Sequence, residues 1–227
     1  MRMTAGQSAV RELRRVARTS RILDAAEEVF TDKGFDAATM EEVAERAGLA
    51  KGTLYLYFPS KEDLFLGLAL RTQDELLRRY GEAAADAQSG IDMLERILAA
   101  LYQVVEKRPE YFRLSISFWL DRPRPPTEQS ATWKQHVEHK RRLFRIVLGA
   151  MERGVLDGTV RDDVPARTLA LGMWGGALGG LMMALQQPRL NQELGVPARG
   201  APGWREYASL LVDAVRARRK PRTRKAR

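Results

Sequence analysis

Hydrophobic positions recur every three to four residues along almost the whole chain. Between residues 18 and 33, for example, Ile22, Ala26 and Val29 share one helical face, while charged residues occupy the other. This spacing predicts amphipathic helices, and no segment alternates regularly enough to predict a strand. The pattern therefore predicts an all-α fold of about nine helices.

Helix-breaking residues place the predicted boundaries. We predict helices at about residues 18–33, 39–47, 50–58, 60 to at least 79, 91–107, 110–120, 128–153, 165–187 and 203–218. Gly34, Gly48 and Gly154 follow three of these helices, where a residue with positive φ ends a helix at low cost. The prolines between residues 121 and 127 predict a loop. The pattern leaves open whether residues 1–17 fray or extend the first helix.

Residues 39–65 predict two short helices joined by a tight turn. Thr39 and Glu42 have the Thr-x-x-Glu spacing of a capping box, which predicts the beginning of a helix. Residues 51–57 of the second helix contain no acid. A helix that enters the major groove needs small residues near the bases, donors for phosphates and few carboxylates. This composition indicates DNA binding, although the same geometry occurs in proteins that bind no DNA.

A set of motifs in residues 18–65 resembles the N-terminal domain of TetR-type transcriptional regulators. The matching residues are Phe30-x-x-x-Gly34-Phe35, Thr39, Val43-Ala44-x-x-Ala47-Gly48, Gly52-Thr53-Leu54-Tyr55-x-Tyr57-Phe58 and Ser60-Lys61-Glu62-x-Leu64. The match is ungapped and in the expected order, whereas the rest of the chain resembles the family only in length and helical layout. The resemblance implies an N-terminal three-helix helix-turn-helix domain and a C-terminal helical ligand-binding and dimerisation domain.

The resemblance also implies a domain layout and a set of DNA contacts. We predict a basic N-terminal arm, a DNA-binding domain, a regulatory and dimerisation domain and a basic tail, at residues 1–17, 18–65, 66–215 and 216–227. The residues predicted at the major groove or its rim are Lys51, Thr53 and Tyr55, with Gly52 permitting close approach. Those predicted to hold phosphates are Thr39, Tyr57 and Lys61.

The distribution of charge suits a protein whose ends meet a polyanion. The 227 residues carry 38 Lys and Arg against 29 Asp and Glu, which gives a net charge of +9. Residues 1–21 hold six arginines and one glutamate, and residues 216–227 hold eight basic residues and no acid. The body between them is therefore acidic. Basic ends favour DNA binding, with merely solubilising tails as the alternative.

Other classes of function have little support in the sequence. There is no cysteine, which excludes disulfides, thiolate metal sites and a cysteine nucleophile. Neither a phosphate-binding glycine loop nor a nucleophile elbow is present, so we expect no enzyme, no cofactor and no metal. His136 and His139 lie three apart, and we expect them on a solvated helix face. No apolar run approaches the length that spans a bilayer, so we expect a cytoplasmic protein without membrane contact.

The eighth predicted helix is too apolar to face solvent. Gly172, Gly176 and Gly180 lie four apart and open one face to close helix packing. Each glycine costs about 1 kcal/mol of helix stability relative to alanine, so a packing gain must offset it. Packing within the chain would account for these glycines. The resemblance instead implies a homodimer interface shared with the last helix, which includes Tyr207 and Leu211.

Large apolar side chains concentrate in predicted helices five to eight, with few polar groups among them. A ligand bound there would be hydrophobic or aromatic, although such residues also build ordinary cores. The candidate pocket residues are Tyr102, Phe112, Phe118, Trp119, Trp133, Met173 and Trp174. The leading hypothesis is a homodimeric repressor that a hydrophobic small-molecule effector releases from a palindromic double-stranded DNA operator. The alternative is an architectural, nucleoid-type DNA-binding protein without an effector.

Overall fold

The computed structural model describes residues 5–121, 130–194 and 203–217. Nine helices make up the secondary structure within these ranges: α1 Ala5–Ala37, α2 Met40–Arg46, α3 Lys51–Tyr57, α4 Lys61–Asp86, α5 Gly90–Lys107, α6 Pro109–Asp121, α7 Ala131–Leu156, α8 Ala166–Leu194 and α9 Trp204–Val215. An isolated bridge pairs Val160 with Arg216. The predicted all-α fold is confirmed. The predicted basic tail lies almost entirely outside the described residues.

Contacts group the helices into two units. Residues 1–73 and 108–139 form the first unit, and residues 74–107 and 140–227 form the second. Both α4 and α7 contribute residues to each unit. This grouping joins α6 and the start of α7 to the helix-turn-helix segment, whereas the sequence placed both after a boundary at residue 65. The domain assignment itself stays a prediction.

An aromatic core holds the first unit together. Phe30, Phe35, Phe65 and Phe118 are buried, and the rings of Phe65 and Phe118 stack with centroids 4.1 Å apart. The ring of Phe35 meets that of Phe118 edge-on at 4.8 Å. Burying one phenylalanine contributes about 1.5–3 kcal/mol, so these contacts fix α6 against α1 and α4. Phe118, a candidate pocket residue, is thus a core residue of the first unit.

Ion pairs also connect α1 to α4 and to the residue before α6. Arg71 of α4 pairs with Asp24 and Glu27 of α1. Arg108 lies 3.6 Å from the Glu27 carboxylate. The side chains of Arg71 and Glu27 are about four-fifths buried, and partly buried pairs are screened by salt less than exposed ones.

Among the residues that the structure describes, three glycines adopt a positive φ, and two of them were predicted to end helices. Gly34, where α1 bends, has φ +79°, and Gly48 has φ +62°. The prediction for Gly154 was wrong, because α7 continues to Leu156 and the left-handed glycine is Gly158 at φ +74°.

Gly154 instead lets the backbone of α7 contact the backbone of α5. A Cβ on Gly90 would overlap the backbone N and Cα of Gly154 and lie 2.6 Å from the carbonyl oxygen of Ala150. The Gly90 N–H donates to the Asp157 carboxylate at 2.7 Å. The start of α5 is therefore joined to the end of α7 at a site that has no room for a side chain.

Two further predictions are corrected by the structure. His136 and His139 are 2% and 7% exposed, so they do not lie on a solvated face. Helical spacing placed them together but could not reveal what covers them.

The segment Ala166–Leu185 of α8, with a mean hydropathy of 1.5, is long and apolar enough to cross a bilayer, contrary to expectation. The glycines that interrupt its large side chains lower this mean less than charged residues would.

Candidate nucleic-acid interface

Local hydrogen bonds set the geometry between α2 and α3. The Thr39 hydroxyl accepts from the Glu42 N–H at 3.3 Å, and the Glu42 carboxylate accepts from the Thr39 N–H at 3.0 Å. The predicted capping box is thereby confirmed. After α2, the Leu49 N–H donates to the Ala44 carbonyl at 2.9 Å. This bond closes a Schellman turn, which needs the positive φ found at Gly48.

One buried side chain anchors α3, and the rest of the helix lies at the surface. Leu54 is fully buried in the core of the first unit. The exposed residues are Lys51, Gly52, Tyr55 and Leu56, and the half-buried ones are Thr53 and Tyr57. A Cβ on Gly52 would meet no other atom within 4 Å. Every residue predicted on this helix therefore belongs to a surface accessible to DNA.

Leu56 was not predicted as a functional residue. Its side chain is 85% exposed, although it stands between the two tyrosines of α3. Two residues beyond the buried Leu54, helical geometry turns a side chain to the opposite face, so its exposure could have been foreseen. In a major groove such a leucine offers an apolar contact for the methyl group of thymine.

Lys51 is already paired within the chain. Its ammonium contacts the Glu41 carboxylate of α2 and lies 5.9 Å from the centre of the Tyr55 ring. The hydrogen bond to Glu41 raises the pKa of Lys51, and the same bond holds the pKa of the Glu41 carboxyl below its usual range. Both side chains are more than half exposed. The pair is therefore accessible to exchange with a phosphate.

The predicted phosphate ligands differ in what they bind within the chain. The Thr39 hydroxyl accepts a hydrogen bond from the Glu42 N–H in the capping box, and its own proton can still be donated. The Lys61 ammonium donates to the carbonyl oxygens of Asp36 and Ala38, at 3.0 and 2.8 Å, and lies 4.7 Å from the centre of the Phe35 ring. Lys61 therefore fixes the start of α4 to the turn before α2, a role that the sequence did not suggest.

Residues 22–68, which contain this capped turn and exposed helix, match the family model described as bacterial regulatory proteins, tetR family. The matched segment is a TetR-family N-terminal domain. The transcriptional activator FasR of Mycolicibacterium smegmatis is 34% identical over 113 residues, which cover 50% of this chain and 52% of FasR. The chain thus matches about half the length of that relative. The repressor KstR2 of Rhodococcus jostii is 25% identical over 148 residues, covering 65% and 70% of the two chains.

Solved TetR-family structures share the fold. A TetR family transcription regulator from Marinobacter aquaeolei VT8 has a TM-score of 0.65 and 23% identity, and the match covers 91% of this chain and all of that one. FadR from Bacillus subtilis, in complex with stearoyl-CoA, has a TM-score of 0.65 and 17% identity, covering 86% and 95%. At these identities the similarity establishes the fold alone.

The candidate pocket residues are distributed over both units. Those of the first unit with described side chains are the half-buried Phe112 and Trp133 and the core residue Phe118. Those of the second unit are the half-buried Tyr102 and Trp174 and the buried Met173. The side chain of Trp119 lies outside the described part of the structure.

A cleft of about 450 Å³ lies between α5 and α9 of the second unit. The rings of Tyr102 and Trp204 stack nearly parallel there, with centroids 5.9 Å apart. The Tyr102 hydroxyl donates to the Glu106 carboxylate at 3.2 Å, and the lining includes apolar side chains such as Leu98 and Val212 and charged ones at Glu95 and Arg205. Trp204 was not predicted as a pocket residue, because its spacing in α9 indicated only a packing face.

The glycines of α8 face two directions. A Cβ on Gly176 would lie 2.6 Å from Cδ2 of Leu211, and one on Gly180 would overlap the ring of Tyr207. The Tyr207 hydroxyl donates to the Gly176 carbonyl at 2.8 Å. Gly172 has nothing within 4 Å. Each step of four residues turns a helical position by about 40°, so the three glycines do not share one direction. Packing within the chain accounts for Gly176 and Gly180.

The side of α8 that does not pack on α9 is largely exposed. A Cβ on Gly175 or Gly179 would meet nothing within 4 Å, and the side chains of Leu171 and Leu178 are 55% and 48% exposed. We call Leu171, Gly172, Gly175, Leu178 and Gly179 the open face of α8. The role of α8 between two copies of the chain stays a prediction.

Proposed function

We propose that this TetR-family DNA-binding regulator acts as a homodimer on a palindromic operator and is released from it by an apolar or aromatic small molecule. The observation that carries the proposal is the surface of α3. It has no acidic residue, it is set by the turn at Gly48, and it is exposed at Lys51, Tyr55 and Leu56.

In this proposal α3 enters the major groove of double-stranded DNA. Lys51 and Tyr55 project from the exposed side of the helix and contact base edges or the groove rim, together with Thr53. The bare backbone at Gly52 lets the helix approach closely. The phosphate ligands are Thr39, Tyr57 and Lys61. Base contacts give sequence preference, whereas phosphate contacts position the helix.

The experiment that tests this function is selection of bound fragments from random DNA, followed by affinity measurement on the enriched duplex. We expect a palindrome that binds at least about 10³-fold more tightly than shuffled DNA, and a single half-site that binds poorly. The architectural alternative instead gives no enrichment. FasR is an activator and KstR2 a repressor, so the similarity does not give the direction of regulation. We propose repression, and a reporter fused to the regulated promoter tests it.

A second copy is proposed to pack on the open face of α8. In a two-fold dimer the same surface of both copies forms the interface. The leucine side chains of one copy can pack against the glycines of the other. Leu178→Glu should then yield a monomer in sedimentation equilibrium at micromolar concentration. Leu156→Glu is the matched control, because that leucine is 89% exposed on α7. A dimeric Leu178→Glu variant would remove this face from the interface.

The cleft between α5 and α9 is proposed to hold the effector. Its volume lies within the range of about 300–1,000 Å³ that small-molecule sites occupy, and the stacked Tyr102 and Trp204 rings provide a flat wall. The stearoyl-CoA complex of FadR supports an apolar ligand for this fold. For a hundredfold loss of DNA affinity, the ligand must favour the non-binding state by about 2.7 kcal/mol, and DNA must weaken ligand binding equally.

Intrinsic tryptophan fluorescence tests this assignment, because Trp204 lies in the cleft. An effector found in a screen of apolar and aromatic compounds should quench emission and release the enriched duplex over one concentration range. Tyr102→Ala should shift that range upward. Trp174→Phe, which alters no residue of the cleft lining, should leave it unchanged. Compounds that bind tightly without altering DNA affinity would refute effector control.

A further inference from the structure

The first helix continues far beyond the part that packs. It begins at Ala5, whereas its first buried residue is Ile22. At 1.5 Å per residue the intervening helix is about 25 Å long. Residues 7–21 are exposed apart from the half-buried Thr19. Residues 5–21 thus form a helical extension. The sequence had left open whether residues 1–17 fray or extend the first helix.

Arginines form a stripe along this extension. Arg11, Arg15 and Arg18 follow a spacing of four and three residues, which places them on the face that buries Ile22 one turn later. The one acid of the extension, Glu12, pairs with Arg15 at 3.0 Å. Among the described residues, Arg11 and Arg18 have no carboxylate partner. The stripe therefore carries a net positive charge.

The stripe continues the face of α1 that packs in one core with Leu54 of α3. The hydrogen bond from Arg15 to Glu12 is the main cause that raises the pKa of Arg15, and the Tyr57 phenol adds to it electrostatically. Ile22, one turn beyond Arg18 on the same face, belongs to the core against which Tyr57 packs, so this face of α1 and the end of α3 share one core. Tyr57 is the last residue of α3 and a proposed phosphate ligand. The arginine stripe thus extends the surface that α3 presents.

We propose that Arg11, Arg15 and Arg18 bind DNA phosphates that flank the base pairs contacted by α3, an inference that rests on the proposed function. From Arg18 to Arg11 the helix rises about 10 Å, which corresponds to about three base pairs at 3.4 Å each. A guanidinium binds phosphate through two parallel hydrogen bonds. These contacts add affinity without reading sequence.

The opposite face of the extension carries Val10, Leu13 and Val16, which are 49%, 70% and 56% exposed. A helix with one basic and one apolar face is also suited to an anionic membrane surface. The core that α1 shares with α3 favours DNA. Vesicles containing phosphatidylglycerol distinguish the two partners.

The test uses the full chain with all three stripe arginines changed to glutamine, which has a similar helix propensity. Affinity for the duplex enriched by selection is measured by fluorescence anisotropy over a range of salt concentrations. The slope of log affinity against log salt should flatten by about 0.9 for each of the unpaired Arg11 and Arg18, or about 1.8 per protomer, with base preference unchanged; Arg15 adds little because it already pairs with Glu12. Lysine at the same positions should restore most of the slope.

The matched control changes three exposed arginines elsewhere, at Arg78, Arg96 and Arg205, to glutamine. It alters net charge equally and should leave the slope near that of the unmodified chain. An unchanged slope in the stripe variant, or an equal change in the control, overturns the inference. So does loss of vesicle binding by the stripe variant with DNA binding intact. An unmodified chain that enriches no sequence overturns the proposed function as well, which separates the two failures.

Discussion

Substitution of Gly180 by alanine tests whether α8 is held by α9 of its own chain. The added methyl group would overlap the Tyr207 ring, whose hydroxyl donates to the Gly176 carbonyl. Tyr207 must move away, and its hydroxyl then loses that acceptor. Gly81→Ala is the matched control, because Gly81 also lies inside a helix but a Cβ there would meet nothing within 4 Å.

The expected magnitudes follow from three terms. Alanine in place of a helical glycine stabilises by about 1 kcal/mol, and at Gly81 nothing opposes this gain. At Gly180 overpacking costs about 1–3 kcal/mol, and the lost hydrogen bond costs about 0.5–1.5 kcal/mol more. The net destabilisation expected for Gly180→Ala is therefore about 1–3 kcal/mol.

Differential scanning calorimetry at one fixed protein concentration measures both effects. For a chain of this size, 1 kcal/mol shifts the Tm by about 2–4 °C. Gly180→Ala should lower the Tm by about 2–12 °C, and Gly81→Ala should raise it by about 2–4 °C. If the two variants gained stability equally, the close contact of α8 with Tyr207 would be refuted.

Three further predictions concern other sites. Gly90→Ala should destabilise the fold by about 1–3 kcal/mol or more, because its methyl meets backbone that cannot turn aside; a urea midpoint equal to that of Gly81→Ala would contradict this. Leu56→Ala should lose about 1–2 kcal/mol of binding to the enriched duplex while affinity for shuffled DNA is unchanged, and anisotropy titrations that find an equal loss on both would exclude a base contact. Glu41→Gln should tighten binding to the enriched duplex in the same assay, because Lys51 no longer leaves a partner, and weaker binding would show that the pair positions α3.

Features that depend on neighbours in sequence were predicted well. The capping box at Thr39 and the left-handed turn at Gly48 were both foreseen, because a cap and a turn are closed by hydrogen bonds within five residues. Helix number and order followed from the period of apolar residues, which reports the face that each helix buries.

Features that depend on a distant partner were not predictable in the same way. The approach of Gly90 to Gly154 joins residues far apart in the sequence, so the second glycine was mistaken for a helix end. The burial of His136 depends on what covers α7. At the candidate site, the pairing of Lys51 with Glu41 joins two helices whose crossing no local pattern specifies.

The pairing of Lys51 with Glu41 also has a consequence for the ions that accompany binding. A lysine that is free in solution displaces cations condensed on DNA when it reaches a phosphate, and this release makes affinity depend on salt. Lys51 instead leaves the Glu41 carboxylate when it reaches the groove, and the liberated carboxylate attracts a cation in turn. The gain from ion release at this position is thereby largely cancelled. The lysine of the recognition helix then contributes mainly through its direction and its donors, so the contacts of α3 persist at salt concentrations that weaken the outer phosphate contacts.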